Sequence, residues 1–328
     1  MSKKINSVAV LTSGGDAPGM NAAIRAVVRS SSFHNIKAYG IYRGYQGLIE
    51  DDFVELGARS VRNIINRGGT FLKSARSKQF RSFEYRQKAY ENLKSRNIDA
   101  LVVIGGDGSF TGAEIFSKEF DIPVIGIPGT IDNDINGTDY TLGYDTALNT
   151  VVEAIDKIRD TANSHDRLFL IEVMGRDAGD IALNSGIAGG AEEILIPEEN
   201  LGVNRLVDSL HSSRKKGKTS SIVVVAEGDQ IGKNITQLAA DLTRDLPEYE
   251  VKVTVLGHIQ RGGSPSCFDR VLASRLGVGA IDALMDGKSN IMVGVQHKKI
   301  VQVPFETAVN VKKTIDMDLI RVADIIST

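Results

Sequence analysis

Cysteine is almost absent: the chain of 328 residues has one, Cys267. A single thiol excludes an intramolecular disulfide framework and suits a reducing compartment, and Cys267 is expected to be a small buried or half-buried residue. Net charge is nearly absent too. The chain has 39 lysines and arginines against 41 aspartates and glutamates, a formal charge of −2. No global field therefore draws it to nucleic acid or an anionic membrane, and any basic site must be local. No apolar run approaches the ~18 residues of a membrane span, and the opening MSKKINSVAVLTSGGD passes from a short apolar strand into a glycine turn without the apolar stretch of a secretory signal. The expectation is a cytoplasmic protein with no targeting segment. Also missing are a GxxxxGK[ST] P-loop and an intact GxGxxG opening the first helix, which argues against a P-loop NTPase and a nicotinamide dehydrogenase. Internal repeats, low-complexity stretches and a Pro/Ser-rich linker are lacking as well.

What is present is a series of short β-branched runs alternating with helical stretches: 7–12, 100–106, 122–129, 167–173, 221–228 and 252–258. Strands apolar throughout are those covered by helices on both faces, so a doubly wound α/β fold with parallel sheets is expected. The length suits two lobes with a cleft. A boundary is expected near Gly143, where TIDNDINGTDYTLGYD gives way to a helix, and the polar segment 229–250 offers a second crossing point.

Three glycine turns follow three of the strands: Ser13-Gly14-Gly15-Asp16, Gly105-Gly106-Asp107-Gly108-Ser109 and Pro128-Gly129-Thr130. At the carboxyl ends of parallel strands such turns let backbone amides approach phosphate oxygens, and together they would form one floor. Asp107, between glycines, suits Mg²⁺ beside phosphates, or it closes the loop as an Asx turn. Asp132 and Asp134, in Thr130-Ile131-Asp132-Asn133-Asp134, could divide the work of phosphoryl transfer, one taking a hydroxyl proton; the same residues also read as a solvated turn. Arg76, Arg167, Arg176 and the pair His258 and Arg261 stand beside glycines or at strand starts, where arginine's planar fork suits phosphate, although surface arginines are common. Arg25 and Arg29, one helical turn apart, read first as a solvated helix face, and RKKGK at 214–218 as a helix-end charge run.

Taken in order from about residue 5 to the C-terminus, the blocks LTSGGDAPGMNAAIR, NRGGTF, IGGDGS, PGTIDND, EVMGR, AGG and TVLGHIQRGG resemble the bacterial ATP-dependent 6-phosphofructokinase family. The resemblance implies two Rossmann-like lobes with mainly parallel sheets sandwiched by helices, 1–143 plus 260–310 binding ATP and 144–259 plus 311–328 binding fructose 6-phosphate. It implies transfer of the γ-phosphoryl of MgATP to the sugar's 1-hydroxyl, the committed step of glycolysis, in a homotetramer with sites at subunit interfaces. Gly15, Arg76, Ser77, Gly106, Asp107, Gly108 and Ser109 then correspond to the ATP site, with Asp107 the Mg²⁺ residue. Thr130, Asp132 and Asp134 correspond to the catalytic loop with Asp132 the general base, and Arg176 and Arg76 to stabilisers of the transition state. Met174, Gly175, Arg176 and Glu227 correspond to substrate contacts, and His258, Arg261, Arg167 and Lys252 to the 6-phosphate pocket, Arg167 and Lys252 reaching in from a neighbouring subunit. Lys252 stands where the family has arginine.

An effector site for ADP, GDP or phosphoenolpyruvate corresponds to Arg25, Arg29, Arg159, Glu192, Lys216 and Lys218, with Ala58 at a customary arginine and Arg59 beside it. Gly108 and Gly129 are expected to leave room for a nucleotide's α-phosphate, where pyrophosphate-dependent enzymes resemble aspartate and lysine; that donor is the nearest rival. Lipid and NAD kinases share a GGDG-type loop but lack PGTIDND and GHIQRGG, and a non-catalytic sugar-phosphate sensor would have lost Asp107 or Asp132.

Overall fold

The computed structural model describes residues 5–162, 167–199, 202–217 and 220–326. Its strands, in chain order, are β1 (Ser7–Thr12), β2 (Lys37–Ile41), β3 (Phe53–Leu56), β4 (Ala100–Gly105), β5 (Val124–Pro128), β6 (Arg167–Val173), β7 (Glu193–Leu195), β8 (Ser221–Ala226), β9 (Glu250–Val255), β10 (Ile291–Gln296) and β11 (Lys299–Pro304). The helices are α1 (Met20–Phe33), α2 (Gly44–Glu50), α3 (Phe83–Ser95), α4 (Asp107–Phe120), α5 (Tyr144–Ala162), α6 (Asp180–Gly189), α7 (Val203–Lys215), α8 (Ile235–Asp245), α9 (Cys267–Met285), α10 (Phe305–Asn310) and α11 (Met317–Ile326). None of the described helices is long and apolar enough to cross a membrane.

The chain divides into two compact units. The first holds Met1–Ile131, Ile135–Thr146 and Arg261–Lys313; the second holds Asp132–Asp134, Ala147–Gln260 and Thr314–Thr328. Apart from Asp132–Asp134, the chain leaves the first unit within α5, returns after Gln260 and leaves again after Lys313. Residues 229–250, expected as a crossing point, stay inside the second unit, because α8 turns Leu238 and Leu242 into its core.

In the first unit a seven-stranded sheet runs in the order β11-β10-β5-β4-β1-β2-β3. Its interior is parallel, and the two edge pairs, β2–β3 and β10–β11, are antiparallel. Val8 to Leu11 on β1 and Leu101 to Ile104 on β4 are wholly buried. Side chains alternate across a sheet, so a strand without a solvent face must be covered on both sides. Each buried valine, leucine or isoleucine among them contributes roughly 1.5–3 kcal/mol by leaving water. In the second unit all four strands are parallel, in the order β7-β8-β6-β9, and Leu168, Leu170, Val223 and Val225 meet Leu206, Leu210, Leu238 and Leu242. The fold is mixed α/β with mainly parallel sheets, as the apolar runs implied.

Two further expectations differ from the structure. The run 252–258 is strand only to Val255; Gly257 turns at φ +51° and a 3₁₀ helix follows over Gly257–Arg261. Cys267 is exposed rather than buried or half-buried, because it opens α9 directly after the N-cap Ser266, whose hydroxyl accepts from the Asp269 amide.

Candidate active site

The order β5-β4-β1 puts the three glycine turns side by side at the carboxyl ends of adjacent strands. Hydrogen bonds continue the ladder into the loops: the Ser13 amide donates to the Ile104 carbonyl at 2.9 Å and the Gly129 amide to the Gly105 carbonyl at 3.0 Å. A Cβ on Gly105 would lie 2.6 Å from the Ser13 carbonyl oxygen and from Ser109 Oγ, so only glycine lets these loops close up. Gly106 caps α4, Asp107 is its first residue, and both Asp107 and Gly108 are exposed. The amides at the start of this helix and its dipole favour an anion there.

A Cβ on Gly108 would meet nothing within 4 Å. Gly129 differs from the expectation: its Cβ would meet Ile104 Cγ2 and Met20 Cε, both at 3.1 Å, so the room lies at Gly108 and not at Gly129. Arg261 belongs to the same unit. Its Nη1 lies where it would be 2.7 Å from a Cβ on Gly15, and it donates to the Asp16 carbonyl at 3.4 Å. Arg76 is exposed in this unit, while the Ser77 hydroxyl donates to Gln46 Oε1 at 2.8 Å.

Thr130 is buried, and its carbonyl accepts from the Thr141 hydroxyl at 2.6 Å. The next residues are not a solvated turn: Asp132 is 1% exposed and Asn133 is buried, while Asp134 is half-buried. Asn133 accepts φ +53°, as asparagine can, and its side-chain Nδ2 donates to Asp180 Oδ1 at 3.2 Å. Within the second unit, Arg176 Nε stands 3.4 Å from Asp132 Oδ2. Arg176 itself has φ +53°. That backbone is held by Glu227, whose Oε1 accepts the Gly175 amide at 3.3 Å and the Arg176 amide at 2.9 Å. Burial, and then the charge of Glu227, push the Glu172 carboxyl above its ordinary value. The Met174 amide donates to Gln260 Oε1 at 3.1 Å, and Gln260 Nε2 donates to the Gly257 carbonyl at 3.0 Å. Gln260 is wholly buried and ties the Met174 turn to the 3₁₀ helix that carries exposed His258. The sequence reading passed over it inside GHIQRGG.

The effector residues named from the sequence fall on both units. Arg25 and Arg29 line a cavity of about 490 Å³ with Arg62, Asn63, Ile65, Asn66 and Arg67. Burial, and then Arg29, lower the Arg25 pKa. Arg59 is exposed and does not line this cavity. In the second unit Arg159 donates to the Gly189 and Gly190 carbonyls at 2.7 and 2.6 Å and lies 3.8 Å from Glu192, which accepts the Ile222 amide at 2.6 Å. Lys216 is the exposed C-cap of α7, and Lys218 lies outside the described residues.

A family model described as phosphofructokinase matches residues 7–284. The chain belongs to the phosphofructokinase family. Among its relatives, ATP-dependent 6-phosphofructokinase 2 of Bacteroides thetaiotaomicron is 55% identical over 318 residues, spanning 97% of each chain. The ATP-dependent 6-phosphofructokinase of Staphylococcus carnosus is 57% identical over 309 residues, 94% of this chain and 95% of that one. Phosphofructokinase from Saccharomyces cerevisiae superposes with a TM-score of 0.87 at 37% identity, over 98% of this chain and 46% of that one. Pyrophosphate-dependent phosphofructokinase from Marinobacter aquaeolei has a TM-score of 0.84 at 24% identity, over 96% and 86%, which speaks to the fold alone.

Proposed function

We propose that this protein is an ATP-dependent 6-phosphofructokinase, moving the γ-phosphoryl group of ATP to the 1-hydroxyl of fructose 6-phosphate. The observation that carries the mechanism is Asp132, 1% exposed and 3.4 Å from the guanidinium of Arg176. A buried carboxylate beside a guanidinium is suited to take the hydroxyl proton as the oxygen attacks the γ-phosphorus; the bond from that phosphorus to the β-bridging oxygen breaks and ADP leaves. Arg176 and Arg76 offset the negative charge on the transferring group, and Thr130 and Asp134 complete the loop. The first unit binds ATP, with Gly15, Ser77, Gly106, Gly108 and Ser109 around the phosphates. The second supplies Met174, Gly175, Arg176 and Glu227 to the sugar, while His258 and Arg261, with Arg167 and Lys252 reaching in from a neighbouring subunit, bind the 6-phosphate.

Mg²⁺ fits the residues present. Among the described residues no group of three or more potential ligands forms a cage. Asp107 offers one exposed carboxylate beside the open space at Gly108, and Mg²⁺ commonly takes one or two carboxylates, phosphate oxygens and water. Bound at Asp107, it would neutralise charge on the β- and γ-phosphates.

The arginine cavity at Arg25, Arg29, Arg62 and Arg67 is read as the site of a phosphorylated effector, in a protein working as a homotetramer in the cytoplasm. A coupled assay with fructose 6-phosphate, offering ATP or pyrophosphate with and without Mg²⁺, tests the activity. Turnover is expected with ATP and Mg²⁺ only. Turnover with pyrophosphate and none with ATP would overturn the donor.

A further inference from the structure

Arg167, Glu250 and Lys252 lie together in the second unit, at the starts of β6 and β9. The parallel register sets Arg167 beside Glu250 and Phe169 beside Lys252, and Glu250 and Lys252, two apart on one strand, face the same way. One carboxylate serves both cations: Glu250 Oε2 accepts from Arg167 Nε at 2.8 Å, and Oε1 from Lys252 Nζ at 2.6 Å. The hydrogen bond from Lys252, then that from Arg167, hold the Glu250 carboxyl down at about 2, so it is charged at neutral pH. The three side chains are 24%, 53% and 44% exposed in the order Arg167, Glu250, Lys252. Exposed pairs of this kind add little stability. The tie across two strands, with one oxygen for each cation, matters instead for which donors it leaves open to a ligand.

The carboxylate makes the contacts that a phosphate would make, and it lowers the charge of the set from +2 to +1. We propose that Glu250 is a built-in rival of the acceptor's phosphate, occupying the donors of Arg167 and Lys252 and so setting the affinity for the phosphorylated sugar. The proposal rests on the reading above that these two cations bind the 6-phosphate. With Nε engaged, Arg167 cannot present its Nε edge as a bidentate fork to phosphate. The phosphate must displace the carboxylate or dock beside it against its charge, and either raises KM. The reacting 1-hydroxyl is remote from this contact, so kcat is untouched.

Glu250→Gln keeps the shape and removes the charge. At low ionic strength it is expected to lower KM for fructose 6-phosphate roughly three- to tenfold with kcat unchanged. The gain should fade as salt rises from about 0.02 to 0.5 M, which a merely structural role would not produce. Arg167→Ala and Lys252→Ala, measured alongside, should each raise KM. If they do and Glu250→Gln leaves KM unchanged or raises it, the rivalry is wrong and the phosphate reading survives. If neither alanine variant changes KM, the phosphate reading falls and the inference with it.

Discussion

Under the proposed function, positions 132 and 108 allow acceptor chemistry and donor choice to be tested separately. Asp132→Asn preserves shape beside Arg176 but cannot take the proton. It is expected to lower kcat about 10²–10⁴-fold while changing KM for fructose 6-phosphate far less. A loss under roughly tenfold at saturating substrate would move the base to Asp134. Gly108 is the second residue of α4, in open space. An aspartate there suits the helix dipole, so the variant should fold, yet it would set a carboxylate against the donor's phosphates. Gly108→Asp is expected to reduce kcat/KM for ATP by roughly 10–10³-fold, with KM for the acceptor little changed. Equal losses toward both substrates would show that position 108 acts through the fold. The open space at 108 followed from the glycine pattern. The filled space at 129 did not, because Met20 and Ile104 come from other elements.

Among the elements, α9 carries a buried acid that the family blocks passed over. Asp269, wholly buried, accepts the amides of Gly143 and Thr146, each at 2.9 Å, and the Thr146 hydroxyl. It thereby pins the loop from which α5 starts. Burial is the main cause that pushes its pKa up to about 6; Asp145 adds to the rise, and the Thr146 and Gly143 donors oppose it. The folded value exceeds the unfolded value of about 3.9, so the native state holds the proton between them. The resulting stability is full below about pH 4 and is lost as pH rises through 6, a change of up to about 3 kcal/mol. Urea midpoints of wild type and Asp269→Asn, compared from pH 4 to 7, should diverge by that sign, wild type losing ground as pH rises. A difference constant with pH would remove Asp269 as the source. Five of the six strands named from the sequence carry continuous short apolar runs, and the sixth, β9, alternates apolar residues with Lys252 and Thr254. Short β7, glycine-bearing β2 and β10, and edge strands β3 and β11 were not legible, because pairing rather than composition makes them strands. Strand ends were overread for a related reason: Gly257 and its neighbours extend an apolar run that the backbone has already left.

For the whole molecule, a formal charge of −2 makes the gathering of four arginines in one cavity informative. The sequence showed Arg25 and Arg29 on one helix face, and family likeness pointed to Arg59 as compensation for Ala58. The irregular segment after β3 instead brings Arg62 and Arg67 to the cavity, a placement that no periodicity encodes. Gln260 and Glu250 were likewise hidden, since each matters through partners on other elements. An anion in this cavity would relieve the repulsion that, after burial, lowers the Arg25 pKa. A charge-assisted contact from Arg62 is worth about 1.5–3 kcal/mol. Arg62→Ala should therefore demand roughly tenfold or more effector for the same response, whereas Arg59→Ala should leave the response near wild type. The measurement is the half-saturating concentration of fructose 6-phosphate while ADP, GDP or phosphoenolpyruvate is titrated. Linkage adds an internal check: saturating acceptor must change effector affinity by the same factor by which effector changes acceptor affinity. No shift with any of the three compounds would sink the cavity as a regulatory site, and an undiminished shift in Arg62→Ala would return that arginine to the solvated surface.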